Sequence, residues 1–355
     1  MNININSCIF LCISLLLVGC ERNKNLSKTI ENREENTFLN TQKINGVNLV
    51  ATSSNIDSNN ILPLLKINAN SVAIVPFGFV RSGESIIEYN LDWQWHGERK
   101  IGTIEQIQLA HNAGLQVLLK PHLWIHDGWV GDLEFDNEAD WNNFEESYTR
   151  FIIDFAQLAD SLNAKALCIG VELKQAVRQR SKFWMSLIDT LRTVYSGKLT
   201  YAANWDHYAT LDFWHKLDFI GVEAYFPLSE SITPTQKELL QAWNPIKQKL
   251  KSVSNKWNKP ILFTEYGYRN MDYTAKQPWD MNQYSNYNDQ GQVNGYSAIF
   301  ETFWEENWFA GGYLWKWHPN HQEIGSKNNN LFTPQNKPAE ETIKAQFGKQ
   351  KKLTH

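Results

Sequence analysis

The chain has 355 residues, 42% of them hydrophobic and 20% charged, which is enough for one large domain or two ordinary ones and excludes a compositionally disordered protein. A formal net charge of −4 at pH 7 provides no basic stripe to condense on a phosphate backbone and argues against nucleic acid as a partner. Some of its 15 Trp, 13 Tyr and 18 Phe build the core, the first reading for any single Trp, and so many indoles also suit a cleft that stacks flat apolar ligand faces.

The first 20 residues, MNININSCIFLCISLLLVGC, are an apolar stretch of export-signal length, too short to span a bilayer comfortably. Leu17-Val18-Gly19-Cys20 resembles the bacterial lipobox, in which the cysteine is lipidated and becomes the mature first residue. The other reading is an ordinary cleaved signal with an incidental cysteine. With the lipobox, Cys8 and Cys12 leave with the signal and Cys20 carries lipid, which places the protein on the bacterial cell envelope, on its periplasmic or surface side. Only Cys168 then remains, and inside AKALCIGV it reads as a small buried hydrophobe rather than a nucleophile. Residues 21–43 have few apolar side chains and no periodicity, so they read as a flexible tether.

From Ile44 onward one theme repeats: a short apolar run, a polar or aromatic connection, a helical pattern. The runs are INGVNLV (44–50), SVAIVPFGF (71–79), LQVLLKPHLW (115–124), AKALCIGVE (164–172), KLTYAAN (198–204), DFIGVEAY (218–225), KPILFTE (259–265) and GGYLWKW (311–317). The segment after the first run is a modest helix at best. TIEQIQLAHNAG (103–114) carries Thr103 at a capping position, apolar residues near a 3.6 period, and Gly114 to end it. Further helical patterns cover 138–163, 182–196, 237–257 and 292–308. Near-continuous apolar strands alternating with helices call for a parallel sheet covered by helices. Eight such units with no Gly-rich phosphate fingerprint after the first strand predict a single (β/α)8 TIM barrel over 44–348, with residues 349–355 a disordered tail.

In that fold, chemistry sits at the C-terminal ends of the strands. Glu172 closes the fourth run, Glu223 lies near the end of the sixth, and Glu265 closes the seventh. A single glutamate at a strand end is a good partner for an arginine. Several converging on one mouth fit glycosidic bond hydrolysis, which in its retaining form needs two carboxyl groups roughly 5 to 5.5 Å apart.

At these residues the chain resembles the retaining glycoside hydrolases of clan A. Within that clan, CIGVELKQ (168–175), YAANWDHY (201–208), FIGVEAYFPL (219–228), PILFTEYGYR (260–269) and GGYLWKW (311–317) are similar to glycoside hydrolase family 113, whose characterised activity is mainly endo-β-1,4-mannanase. The resemblance runs from about Val47 to Phe347. It implies Glu172 as acid/base and Glu265 as nucleophile, with β-1,4-mannan as the substrate. Many clan members carry Asn just before the acid/base. Here that position is Val171, which leaves the substrate 2-hydroxyl to another residue, with Asn204 the candidate.

The roles have physical requirements. Glu265 needs hydrogen-bond donors to attack as a carboxylate; Tyr225 is either that donor or a packing residue of the rim. Glu172 must hold a proton near neutral pH, and a negative Glu265 nearby raises its pKa. Glu223 is either a third active-site carboxylate or an ion-pair partner, and its place one residue inside the strand end favours a supporting role. Lys120, His122 and Trp124 alternate along the end of the third strand, which points them to one side. There His122 binds a sugar hydroxyl or is a satisfied rim histidine. His122 and His126 lack a third ligand at metal-binding spacing, and retaining chemistry needs no metal or cofactor. Trp205, Trp315 and Trp317 at strand ends, with Trp93, Trp95, Trp124 and Trp129 nearby, are candidates to stack on sugar rings. The stretches 92–100 and 276–290 are candidate cleft walls. Activity on another β-glycan and a non-catalytic sugar-binding lipoprotein remain as alternatives; a monomer is the default.

Overall fold

The computed structural model describes residues 42–126, 128–280, 286–325 and 329–351. The export signal, Cys20 and all but the last two residues of the expected tether lie outside them.

Eight parallel strands close into a barrel in chain order. They are β1 (Ile44–Leu49), β2 (Ser71–Ile74), β5 (Gln116–Leu119), β7 (Ala166–Val171), β8 (Lys198–Asn204), β9 (Ile220–Glu223), β10 (Ile261–Tyr266) and β11 (Phe309–Trp317). All eight expected runs are present. Helices α1 (Ser58–Lys66), α2 (Lys100–Asn112), α3 (Glu138–Ser161), α4 (Lys174–Gln179), α5 (Ser181–Val194), α6 (Gln236–Trp257), α7 (Asp289–Phe303) and α8 (Pro338–Lys351) complete the units. None of the described helices is long and apolar enough to cross a membrane. Because α8 continues to Lys351, the tail expected from residue 349 does not begin there.

Strand alternation divides the apolar residues into two sets. Val72, Ile74, Val117, Leu119, Leu167, Ile169 and Phe263 face the helices in the main core, whereas Ala73, Leu118, Ala166, Cys168, Ala202, Leu262 and Tyr313 form a smaller cluster in the lumen. Cys168 is fully buried there, as expected, and burial pushes its thiol up to about 11.

Local sequence explains most boundaries. Asp57 caps α1 through a reciprocal capping box with Asn60, and Thr235 caps α6 with Glu238. Thr103 lies inside α2 instead of capping it; its hydroxyl donates to the Arg99 carbonyl (2.9 Å), and the helix begins earlier, at Lys100. Gly114 does end the helix, in a left-handed conformation (φ 77°) that costs glycine nothing.

The second and third runs differ from expectation. Each reads as one strand, and each is divided by a proline, Pro76 or Pro121, which has no N–H for the ladder. Past the prolines the chain forms β3 (Phe77–Val80) and β6 (His122–Ile125), which pair in parallel and take β4 (Ile87–Tyr89) as an antiparallel edge. This second, three-stranded sheet stands on the C-terminal side of β2 and β5. Its inner face packs on α3, where Gly78 abuts Phe151.

Candidate active site

Glu265, Glu223 and Asn204 lie side by side across three neighbouring strands, with Glu265 paired to Glu223 and Asn204 paired to Glu223 in register. Strict alternation would turn Glu265 away from the lumen, since Phe263 packs outward and Thr264 follows it. A register shift between Phe263 and Glu265 inserts one residue into β10 and brings Glu265 to the mouth. The strand carrying Glu172 has a comparable shift between Cys168 and Val171. Glu172 itself adopts φ 53°, a left-handed conformation rare for a non-glycine residue, and its backbone N–H donates to the Ala202 carbonyl at 2.8 Å.

Together these residues line a cleft of about 880 Å³ at the C-terminal end of the barrel. Glu172, Glu223, Glu265, Asn204, Trp205, Tyr225, His122 and Trp315 all border it. Four other candidates, Trp317, Trp124, Trp93 and Trp95, do not. Trp317 is fully buried because a register shift against β1, which sets the three steps from Leu314 to Trp317 against the two from Val47 to Leu49, breaks the alternation, so that Trp315 borders the cleft and Trp317 packs into the main core. Trp124 sits on the outer sheet beyond Pro121, exposed and outside the cleft lining, so it does not share the cleft with Lys120 and His122. Trp95 is exposed in the loop before α2; the stretch 92–100 runs beside the outer sheet and does not wall the cleft.

Lys120, the last residue before Pro121, projects into the mouth with no exposed surface. Its ammonium donates to Glu265 Oε1 at 2.5 Å and to Glu223 Oε1 at 3.0 Å. Tyr225 donates to Glu265 Oε2 at 2.7 Å. Both oxygens of Glu265 are therefore held by donors, as a carboxylate nucleophile requires. Burial alone would lower the Lys120 pKa, but the charges of Glu223 and Glu265 outweigh it and hold the ammonium above the usual lysine value. Burial and the charge of Glu265 keep the Tyr225 hydroxyl protonated far above the usual tyrosine range.

Glu172 receives a hydrogen bond from the Trp129 indole at 2.9 Å and shares another with Glu223. Burial raises its pKa; the Trp129 bond works against this, and the charge of Glu265 works with it. Glu223 titrates well above a normal glutamate, chiefly through burial and the charge of Glu265, despite its bond to Lys120. Both sides of the Lys120–Glu223 pair rise because three carboxyl groups face one ammonium: the crowded negative charge favours the protonated form of each, and for the two glutamates it adds to burial.

His122 is held neutral, its pKa pushed well below normal by burial and by Lys120. Its Nε2 stands 3.8 Å from Glu265 Oε1 and makes no hydrogen bond with the protein, and the buried Asn204 carbonyl oxygen is likewise unpartnered. Two orphaned polar atoms beside the carboxylates fit the hydroxyls of a bound sugar. The His122 ring lies parallel to Trp315, 6.0 Å between centroids. On the opposite side Trp205 stacks on Trp279 (5.0 Å, 24°). Trp279 comes from the 276–290 stretch, which does wall the cleft here, although residues 281–285 lie outside the described set. Among the described residues no group of three or more His, Cys, Asp or Glu is placed to hold a metal ion.

The model of Glycoside Hydrolase Family 113 matches residues 59–337. Solved structures similar to the chain include the GH113 β-mannanase of Alicyclobacillus acidocaldarius, determined in complex with ManMIm. It has 23% identity and a TM-score of 0.76, covering 88% of this chain and 99% of that one. A GH113 β-1,4-mannanase complex has 23% identity and a TM-score of 0.73 over 87% and 99% of the two chains. A β-glucuronidase from Ruminococcus gnavus, bound to uronic isofagomine, is 15% identical with a TM-score of 0.58, and matches 86% of this chain but 50% of its own. At these identities the likeness carries the fold. No curated protein sequence matches the chain.

Proposed function

The chain belongs to glycoside hydrolase family 113 and is a glycoside hydrolase; from that premise we propose that it cleaves β-1,4-mannan by double displacement, with Glu265 as nucleophile and Glu172 as acid/base. The observation that carries the mechanism is the pair itself: two glutamates in one cleft, one with both oxygens held by donors and the other with a raised pKa. Mannan is favoured because the GH113 neighbours are β-mannanases.

In the first step a Glu265 oxygen attacks the anomeric carbon while the glycosidic C–O bond breaks and the Glu172 proton passes to the leaving oxygen. In the second, a water molecule attacks the same carbon, gives its proton to Glu172, and releases Glu265. The total charge of the cleft is the same before and after each step. Glu265 loses a negative charge as Glu172 gains one, and Lys120 faces a carboxylate throughout. Asn204 and His122 are positioned for sugar hydroxyls, and Trp205, Trp279 and Trp315 for ring faces.

The test is reducing-sugar release by the detergent-solubilised full chain on β-1,4-mannan, glucomannan, cellulose, xylan and β-1,3-glucan. We expect activity on the mannans, reduced at least about a thousandfold in Glu265→Ala. Activity confined to another polymer would overturn the substrate assignment, and an active Glu265→Ala protein would overturn the mechanism.

A further inference from the structure

The outer sheet has an aromatic face that catalysis at the glutamates does not use. Its two sides are unlike. Gly78, Val80, Ile87 and Leu123 are buried toward α3. Phe77, Phe79, His122 and Trp124 alternate with them and point the other way. The parallel register aligns these four in two rows, Phe77 beside His122 and Phe79 beside Trp124. The first row borders the cleft. The second lies one two-residue step farther out, ~6.5 Å along the strands.

That second row is an exposed platform. Trp124 is 48% exposed, and the ring of Phe79 lies 5.8 Å from it. Trp93, 57% exposed, meets Phe79 edge-on at 4.9 Å. At its edge Glu88 pairs with Arg81, giving a charged acceptor and donor beside the rings. All four exposed tryptophans among the described residues are either in the cleft wall (Trp279) or on and beside this sheet (Trp93, Trp95, Trp124). A contiguous exposed aromatic patch, unlike apolar residues scattered singly, marks a binding surface.

We infer that Phe79, Trp93 and Trp124 form a remote subsite that stacks sugar rings of a β-linked glycan extending out of the cleft over the Phe77/His122 row. The inference rests on the chain being a β-glycan hydrolase, not on which sugar it cleaves. A pyranose ring offers an apolar face to the aromatics and an equatorial hydroxyl edge to Glu88 and Arg81, and the shared sheet face makes the path from cleft to platform continuous. Such a subsite adds affinity only for chains long enough to reach it.

The experiment measures binding, by calorimetry, of the full chain carrying Glu265→Gln to β-1,4-manno-, cello-, xylo- and β-1,3-gluco-oligosaccharides of increasing length. It is repeated with Trp124→Ala alone and with Phe79→Ala, Trp93→Ala and Trp124→Ala together, each checked for an unchanged melting profile. For the series the cleft binds, affinity should rise in a second step once the oligosaccharide outgrows the cleft. The triple variant should lose that step, about tenfold in Kd, equivalent to ~1.4 kcal/mol. The same outcome with a series other than mannose supports the platform while overturning the mannan reading. A length dependence identical in all proteins overturns the platform and leaves that reading intact. A dimer that the alanines abolish, with glycan affinity unmoved, assigns the face to a second copy and overturns the inference; no binding in any series overturns both.

Discussion

Lys120 holds together a group of charges that would otherwise repel one another. With neither its ammonium nor the carboxylates of Glu223 and Glu265 more than slightly exposed, removing the cation leaves carboxylates with no counter-charge. Lys120→Met should therefore cost about 3–5 kcal/mol of stability and most of the activity. Adding Glu223→Gln should restore much of the melting temperature and none of the rate. Wild-type melting and turnover in Lys120→Met would show that the ammonium is dispensable. A second residue-scale expectation concerns pH. In the proposed mechanism Glu172 reacts in its protonated form, so the alkaline limb of kcat/KM should follow its pKa, which is already raised. The Trp129 hydrogen bond favours the ionised form and holds that pKa down. Trp129→Phe, which lacks the donor, should raise it further and move the limb to higher pH; a limb that stays or moves down would contradict the assignment. At this scale Glu172, Glu265 and Tyr225 were legible because each ends an apolar run. The partnership of Lys120 and the reach of Trp129 were not, since neither spacing nor alternation reveals which atoms meet across a barrel.

At the scale of elements, periodicity located every barrel strand but misjudged what happens at their ends. The two register shifts that aim Glu172 and Glu265 leave no mark in the sequence, because a bulge changes which face a residue takes without changing residue type. The signal for dividing the second and third runs was present in Pro76 and Pro121, each within an otherwise apolar stretch. Trp317 shows the same limitation: its neighbour two positions back faces the cleft, and only the local path of β11 separates their fates. Closure of the barrel between β1 and β11 depends on close packing at Gly46, which pairs with Tyr313. A methyl group there would overlap the Tyr313 ring, itself buried and hydrogen-bonded to Ser71 at 2.9 Å. Gly46→Ala should lower stability by about 1–3 kcal/mol, read as a shift in the urea midpoint; an unmoved midpoint would mean that Tyr313 can give way freely.

For the whole molecule, the (β/α)8 plan was readable because eight apolar runs and the helices between them repeat one physical unit. The outer sheet was not, because two of its strands, β3 and β6, are short continuations of runs already assigned and the third, β4, is only three residues long. The cysteine in the lumen gives this plan a further use. Among the described residues Cys168 is the single free thiol, enclosed by the strands themselves rather than by a loop or helix end. Fraying at the surface does not uncover it; strands have to part. The protein thus carries an internal timer of barrel opening. Under native conditions, with modified peptides resolved so that Cys8, Cys12 and Cys20 are read separately, alkylation of Cys168 should proceed only as fast as global unfolding permits. Its rate should climb with urea along the full unfolding slope. Labelling that is fast and insensitive to urea would mean that the strands breathe while the rest of the fold stays closed.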